Sequence, residues 1–186
     1  MASAHAFIQR ILDLPSGPGV SLDPVLQPFL DDETQLRVLF ASERAHPRLA
    51  DPHVGLVDLF NNAPVDLRIT RARVVNEQDA NFKEKYIIPI PDIKRRAEGT
   101  SSMVGNIAEF RAHLDAFSEG SLGRIPWTNV IVAGGSVLAC LTPLSDEEQS
   151  APRAHYSRSY PNSDIDLFLY GLTSEEVIFM PFFVSC

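Results

Sequence analysis

The stretch from Asn129 to Tyr170 constrains the fold more than any other part of the chain, because two apolar segments flank a polar one. The first segment, NVIVAGGSVLACL, predicts a short β-branched strand over Val130 to Val132, a tight turn and an apolar helix. The second, YPNSDIDLFLYGL, predicts a strand over Asp164 to Tyr170. We therefore expect a strand, turn and helix followed by a second strand.

The second strand has a face that carries two carboxylates. Side chains alternate between the faces of a strand, so Asp164, Asp166 and Phe168 share one face. Ile165, Leu167 and Leu169 share the other. Residues two apart have Cα atoms roughly 6.5 to 7 Å apart, so both carboxylates can reach one cation from the same side. The sequence predicts a two-carboxylate site for Mg²⁺, a hard ion that prefers oxygen ligands, or for Mn²⁺.

The turn after the first strand, Gly134-Gly135-Ser136, predicts a phosphate-binding element. Glycines allow the backbone to approach a ligand closely, and the start of the following helix offers free N–H groups to an anion. Mg²⁺ usually fills its remaining coordination positions with waters and substrate phosphates. In this interpretation the second strand holds the metal and the turn holds the phosphates of a nucleoside triphosphate.

These residues resemble the motif of the polymerase-β-type nucleotidyltransferase superfamily, in which a strand, a Gly-Gly-Ser turn and a helix precede an Asp-x-Asp strand. The wording AGGSVLACL and SDIDLFLYGL is also similar to poorly characterised large fungal proteins that often carry ankyrin repeats. The superfamily resemblance implies that Gly135 and Ser136 contact the nucleotide and that Asp164 and Asp166 ligate Mg²⁺ and are catalytic. The acceptor of a transferred nucleotidyl group is unknown.

One departure from the superfamily pattern is the long gap between the turn and the acidic pair. The superfamily usually places the pair about a dozen residues after the glycines, so residues 142–163 are expected to form an inserted loop. Their composition supports this expectation, because Pro143, Pro152 and Pro161 punctuate the segment and its polar run, SDEEQSAPRAHYSRS, has no apolar period. Length alone does not break the site.

A second departure concerns the third carboxylate that the superfamily usually supplies from a later strand. Only twenty residues follow Asp166. The acids among them, Glu175 and Glu176, are better explained by a capping box. In such a box Thr173 caps the start of a helix, and the side chain of Glu176, three residues later, accepts a hydrogen bond from the Thr173 backbone. The chain then ends in the apolar run VIFMPFFVSC, which leads us to expect a C-terminally truncated domain.

Charge and cysteine content indicate which binding partners and which cellular compartment to expect. The net charge of −8 is uneven, since residues 1–100 carry 14 acids and 12 bases whereas residues 101–186 carry 10 and 4. This imbalance argues against broad binding to nucleic acid, which depends on Lys and Arg. Two isolated cysteines suggest no disulfide framework, so we expect the cytosol or the nucleus. The C-terminal apolar run is shorter than the roughly 20 residues that span a bilayer, so we expect no membrane partner.

The expected fold class is α/β or α+β. We expect a helical portion over residues 1–60 and an incomplete nucleotidyltransferase-like domain over residues 61–186. In the first portion, a Gly- and Pro-rich surface linker from Ser16 to Pro28 precedes a helix that begins at Asp31 or Asp32. The small mixed sheet of the domain is expected to contain Val65 to Val75 besides the two strands above.

Two alternatives remain open from the sequence. An Asp-x-Asp glycosyltransferase would use the same acidic pair for Mn²⁺ and a nucleotide-sugar, but it needs a longer α/β unit before the motif than the largely helical first half indicates. A non-catalytic scaffold or sensor module of a larger ankyrin-repeat-type protein is favoured by the missing third acid.

Overall fold

The computed structural model describes residues 4–14, 23–51, 53–61, 63–70 and 96–179. The chain forms two compact units, residues 1–100 and residues 101–186, which are described in turn.

The first unit contains two α-helices, α1 at Ala4–Leu12 and α2 at Asp23–Ser42, and a short 3-10 helix at Pro47–Leu49. Helix α2 begins earlier than predicted: Asp23 lies in its first turn, where an acidic residue is favourable, and Pro28 lies inside the helix. The described part of the predicted surface linker is therefore helical.

Contacts between aromatic and charged side chains hold these helices together. The rings of Phe7 on α1 and Phe29 on α2 meet edge to face with centroids 4.7 Å apart. Arg48, in the 3-10 helix, pairs with the largely buried carboxylate of Asp32 on α2. Aromatic packing thus joins α1 to α2, and an ion pair joins α2 to the segment after it.

The strand predicted over Val65 to Val75 is wrong for its first four residues. Val65–Arg68 is a 3-10 helix, because Pro64 precedes it and the N–H of Leu67 donates to the Pro64 carbonyl over 3.0 Å. Thr70 then exchanges backbone hydrogen bonds with Gly99 and Thr100. Residues 71–75 of the predicted strand lie outside the described residues.

The second unit combines five α-helices with a small sheet over its described residues, 101–179. Strand β1 at Val130–Ala133 pairs with strand β2 at Asp166–Leu169 in an antiparallel, two-stranded sheet. The coarse prediction of a mixed helix and sheet fold is confirmed, whereas the described sheet is antiparallel rather than mixed. The helices are α3 at Ile107–Phe117, α4 at Gly135–Leu141, α5 at Asp146–Ser150, α6 at Pro152–Ser159 and α7 at Ser174–Phe179.

The core of this unit lies between α3, α4 and the inner face of the sheet. Leu114 of α3, Leu122 and Cys140 of α4 are buried and pack with apolar side chains of both strands. Cys140 is fully buried, and this desolvation raises the pKa of its thiol to about 12. The sheet therefore has one face against helices and leaves the other for solvent.

Helix α3 begins at Ile107 because of a side-chain cap at the residue before it. Asn106 caps it, since its side-chain oxygen accepts from the backbone N–H of Glu109 over 2.9 Å. Val104 lies before the cap, is almost fully buried, and donates its N–H to the carbonyl of Leu141 over 2.9 Å. The buried valine belongs to a segment that packs along α4 rather than to the helix.

The segment 142–163, predicted as an inserted loop, contains the two short helices α5 and α6. Ser145 and Glu148 form a capping box at the start of α5, and Pro152 occupies a position at the start of α6 where its missing N–H costs nothing. Tyr156 of α6 is 3% exposed and packs on Phe117 of α3 with ring centroids 5.3 Å apart. Leu144 is buried in the same cluster, so two apolar side chains anchor a segment whose composition is otherwise that of a loop.

Helix α7 begins as predicted. Thr173 donates its backbone N–H to the carboxylate of Glu176 over 2.7 Å, and the N–H of Glu176 donates to the Thr173 hydroxyl over 3.3 Å. Over the described ranges, every helix is too short or too polar to cross a bilayer.

Candidate functional site

The turn between β1 and α4 has the backbone that its glycines predict. Gly134 has φ +88° and ψ −162°, a conformation that is essentially confined to glycine. The chain reverses there from β1 into α4, which begins at Gly135. A β-carbon added at Gly135 would meet no atom within 4 Å, so this side of the turn is open.

Strand β2 shows the alternation that the sequence predicts. Asp164, Asp166 and Phe168 are exposed. Ile165 and Leu167 are partly buried and pack against the core cluster. Asp164 lies two residues before the first residue of β2, so the strand is shorter than expected while the pattern of exposure continues through the acidic pair.

The pairing of the strands brings the two predicted pieces of the site together. Ala133, the last residue of β1, pairs directly with Asp166, the first residue of β2. The carboxylate of Asp166 therefore lies against the turn, and a β-carbon at Gly134 would be 2.5 Å from its Oδ2 atom. Glycine at 134 is required both by its backbone and by this close approach.

The two carboxylates have no hydrogen bond or ion pair with any residue that the structure describes. Both residues are exposed, and their carboxylates are chemically suited to Mg²⁺, which takes carboxylate oxygens and keeps several waters. Asp164 and Asp166 thus fit the metal that the resemblance implies. Over the described ranges, no three His, Cys, Asp or Glu side chains are grouped so that they could hold a metal ion.

Ser136 has a more limited role than its position in the motif suggests. Its side chain is fully buried, and its hydroxyl donates to the carbonyl of Ala133 over 3.3 Å. This bond ties the first turn of α4 to the end of β1. The whole residue has no exposed surface in this conformation, so its contact with a nucleotide stays a prediction.

The far end of the strand pair depends on a residue that the sequence analysis did not single out. Asn129 has φ +63°, its Nδ2 donates to the Tyr170 carbonyl over 2.9 Å, and its own carbonyl accepts the Tyr170 N–H over 3.1 Å. Asparagine tolerates the left-handed region better than most residues. The sequence shows an Asn directly before a β-branched strand, which is a position typical of a turn. Only the pairing of the strands reveals that its partner is Tyr170.

Of the two acidic residues that follow the site, Glu176 forms the capping box that the sequence predicts. Hydrogen bonds from the Thr173 N–H and hydroxyl lower the pKa of Glu176, as expected for the acid of a capping box. Glu175 is exposed in the first turn of α7. The third carboxylate of the superfamily pattern is therefore not supplied by Glu176 in this arrangement.

The comparisons leave the family open. Models of protein families, curated proteins and solved structures contain no match to this chain. The resemblance to nucleotidyltransferases accordingly remains a prediction from the residues of the two motifs.

Proposed function

We propose that the second unit is a nucleotidyltransferase-like module that binds a nucleoside triphosphate together with Mg²⁺ or Mn²⁺. The observation that carries this proposal is the pairing of Ala133 with Asp166, which sets a carboxylate against the turn Gly134-Gly135-Ser136. Asp166 lies 30 to 32 positions after the residues of this turn, so only the pairing of β1 with β2 brings them together.

Charge and exposure support the same assignment. Two exposed carboxylates without partners among the described residues repel each other and favour a bound cation. A divalent ion between them and a triphosphate neutralises both partners, which allows a negatively charged ligand to bind to an acidic unit. Asp164 and Asp166 would hold the metal, and backbone N–H groups at the open side of Gly135 would face the phosphates.

If the module is catalytic, the reaction is nucleotidyl transfer to the hydroxyl of an unknown acceptor. The metal would supply charge neutralisation at the phosphates, and the chain would supply its placement through Asp164 and Asp166. The alternative, a non-catalytic scaffold or sensor module of a larger ankyrin-repeat-type protein, uses the same fold without turnover. Both versions of the module can bind nucleotide, so binding is tested before activity.

Calorimetric titration with Mg²⁺ and ATP, GTP, CTP or UTP tests the proposal. The wild-type chain is compared with Asp164→Asn/Asp166→Asn and with a control of equal charge change on α5, Asp146→Asn/Glu147→Gln. We expect metal-dependent binding in the wild type and the control and its loss in the site variant. A folded wild type without metal-dependent binding would remove the enzyme hypothesis for this chain and favour a scaffold that binds no nucleotide.

Gly135→Ala is a sharper probe of the turn. The added methyl group meets open space in the free protein, so the fold should tolerate it. If phosphates approach this backbone, the methyl group obstructs them, and the affinity for the nucleotide falls while the melting temperature does not. Unchanged affinity would show that the phosphates do not lie against Gly135.

A further inference from the structure

An exposed apolar pair lies beside the acidic pair on the same face of the sheet. Ile131 of β1 and Phe168 of β2 are direct cross-strand partners. Ile131 lies two residues before Ala133 on β1, and Phe168 lies two residues after Asp166 on β2. Phe168 is 56% exposed and Ile131 is 48% exposed. Since side chains of paired residues two apart share a face, this pair and the Asp166 carboxylate face the same side.

The backbone beneath this pair is held at both ends. At one end Ala133 pairs with Asp166, and at the other Asn129 and Tyr170 exchange two hydrogen bonds. The pair therefore forms a defined surface, hereafter the Ile131–Phe168 platform, rather than two independent side chains on a mobile loop.

The composition of this face limits what can cover it. An apolar protein surface that buried the Ile131–Phe168 platform would also approach the carboxylates, and burying an unpaired charge is costly. A metal-bound nucleotide combines a flat aromatic ring with a cation and phosphates, so it matches both parts of the face. Successive same-face positions are roughly 7 Å apart, a separation that the sugar between a base and its phosphates can span.

We propose that the Ile131–Phe168 platform binds the base of the nucleotide whose phosphates and metal lie at Asp164, Asp166 and the glycine turn. This inference rests on the proposed function. The ring of Phe168 stacks on the base, and Ile131 supports it from the neighbouring strand. Neither side chain has a hydrogen-bond donor or acceptor, so the platform favours large bases over small ones and discriminates little between bases of one size.

The test compares two ligands that share a chain of three phosphates, of which only one carries a nucleoside, Mg²⁺-ATP and Mg²⁺-tripolyphosphate, by calorimetry on the full chain. We expect the wild type to bind ATP more tightly than tripolyphosphate. Phe168→Ala should weaken ATP binding by roughly 5- to 150-fold, the range for the loss of one stacked base, and leave tripolyphosphate binding unchanged. Phe168→Trp should retain ATP binding.

Two further variants control for folding and for exposed apolar area. Phe168→Leu keeps an apolar side chain but removes the ring, so it should lose affinity for ATP even if the alanine variant fails to fold. Leu138→Ala removes an exposed apolar side chain from α4. It should bind both ligands as the wild type does.

Each outcome distinguishes the platform from the site on which it depends. The platform would be overturned if the wild type bound ATP and tripolyphosphate equally tightly, or if Phe168→Leu lost affinity for both ligands to the same extent. The proposed metal and phosphate site would still stand in the first case. Wild-type protein that binds neither ligand would overturn the proposed function and the platform with it.

Discussion

Replacing Gly134 by alanine tests the close approach between the turn and the Asp166 carboxylate. The alanine must adopt φ +88° and ψ −162°, a backbone conformation whose cost for a residue with a side chain is of order 1–3 kcal/mol. Its β-carbon would also lie 2.5 Å from Asp166 Oδ2, so either the carboxylate or the turn must move. We expect Gly134→Ala to lower the free energy of unfolding by about 1–3 kcal/mol from the backbone alone.

The neighbouring glycine supplies the control. Gly135 begins α4, its added β-carbon meets open space, and alanine is favoured over glycine in a helix by roughly 0.5–1 kcal/mol. Gly135→Ala should therefore leave the free energy of unfolding unchanged or raise it slightly. Urea denaturation followed by circular dichroism measures both variants on the same chain.

A double-mutant cycle with Asp166→Ala separates the two parts of the cost. Removing the carboxylate removes the atom that the new methyl group meets, but it leaves the backbone strain. Gly134→Ala should therefore cost less in the Asp166→Ala background than in the wild type. Equal costs in both backgrounds, or equal effects of alanine at 134 and 135, would refute the described contact.

Three further predictions concern single residues. The Tyr156 hydroxyl is buried without a hydrogen-bond partner in the described part of the chain, so Tyr156→Phe should leave the melting temperature unchanged or raise it. A large fall in the melting temperature would show that the hydroxyl has a hydrogen-bond partner. Asn129→Ala should lower the free energy of unfolding by about 1 kcal/mol or more through the lost hydrogen bond to Tyr170. Glycine adopts the positive φ of this position without strain, so Asn129→Gly separates the loss of the hydrogen bond from backbone strain. An alanine variant as stable as the wild type would contradict the hydrogen bond. A backbone hydrogen bond from Ser145 lowers the pKa of Glu148 in the folded protein. The ionised carboxylate therefore stabilises the fold above the ordinary glutamate pKa of about 4.3, and this stabilisation is lost as pH falls through the lowered pKa of the folded state. Glu148→Gln should flatten the acid side of the melting profile, and an unchanged profile would contradict this.

The local features of the site were predictable because short-range chemistry decides them. Alternation along the chain predicted which side of β2 carries Asp166 and which carries Leu167. Two consecutive glycines predicted a turn with special backbone angles, and Gly134 has them. The spacing of Thr173 and Glu176 predicted the cap of α7, because a capping box needs only four residues.

Other features depend on contacts between distant residues. The pairing of Ala133 with Asp166 and the bond between Asn129 and Tyr170 join segments more than 30 positions apart, and no local pattern sets that register. The helices of the predicted loop form around Tyr156, whose packing on α3 cannot be seen in a polar sequence. Propensity alone is a weak guide in such segments.

The 3-10 helix at Val65–Arg68 illustrates the limit of periodicity over short windows. Alternating apolar and polar residues there are typical of a strand, but Pro64 starts a tight turn that the alternation does not reveal. The early start of α2 shows the same limit, since Pro28, the last residue of the predicted linker, lies inside the helix.

The position of a bound metal tests the central claim most directly. Mn²⁺ can replace Mg²⁺ at oxygen sites, and its unpaired electrons broaden the NMR signals of nearby amides. With ATP present, substoichiometric Mn²⁺ should selectively broaden the amides of residues 134–136 and 164–168, and the effect should vanish in Asp164→Asn/Asp166→Asn. Broadening that is absent, uniform or centred on the acidic helix α5 would contradict a metal-nucleotide site at the β1 turn.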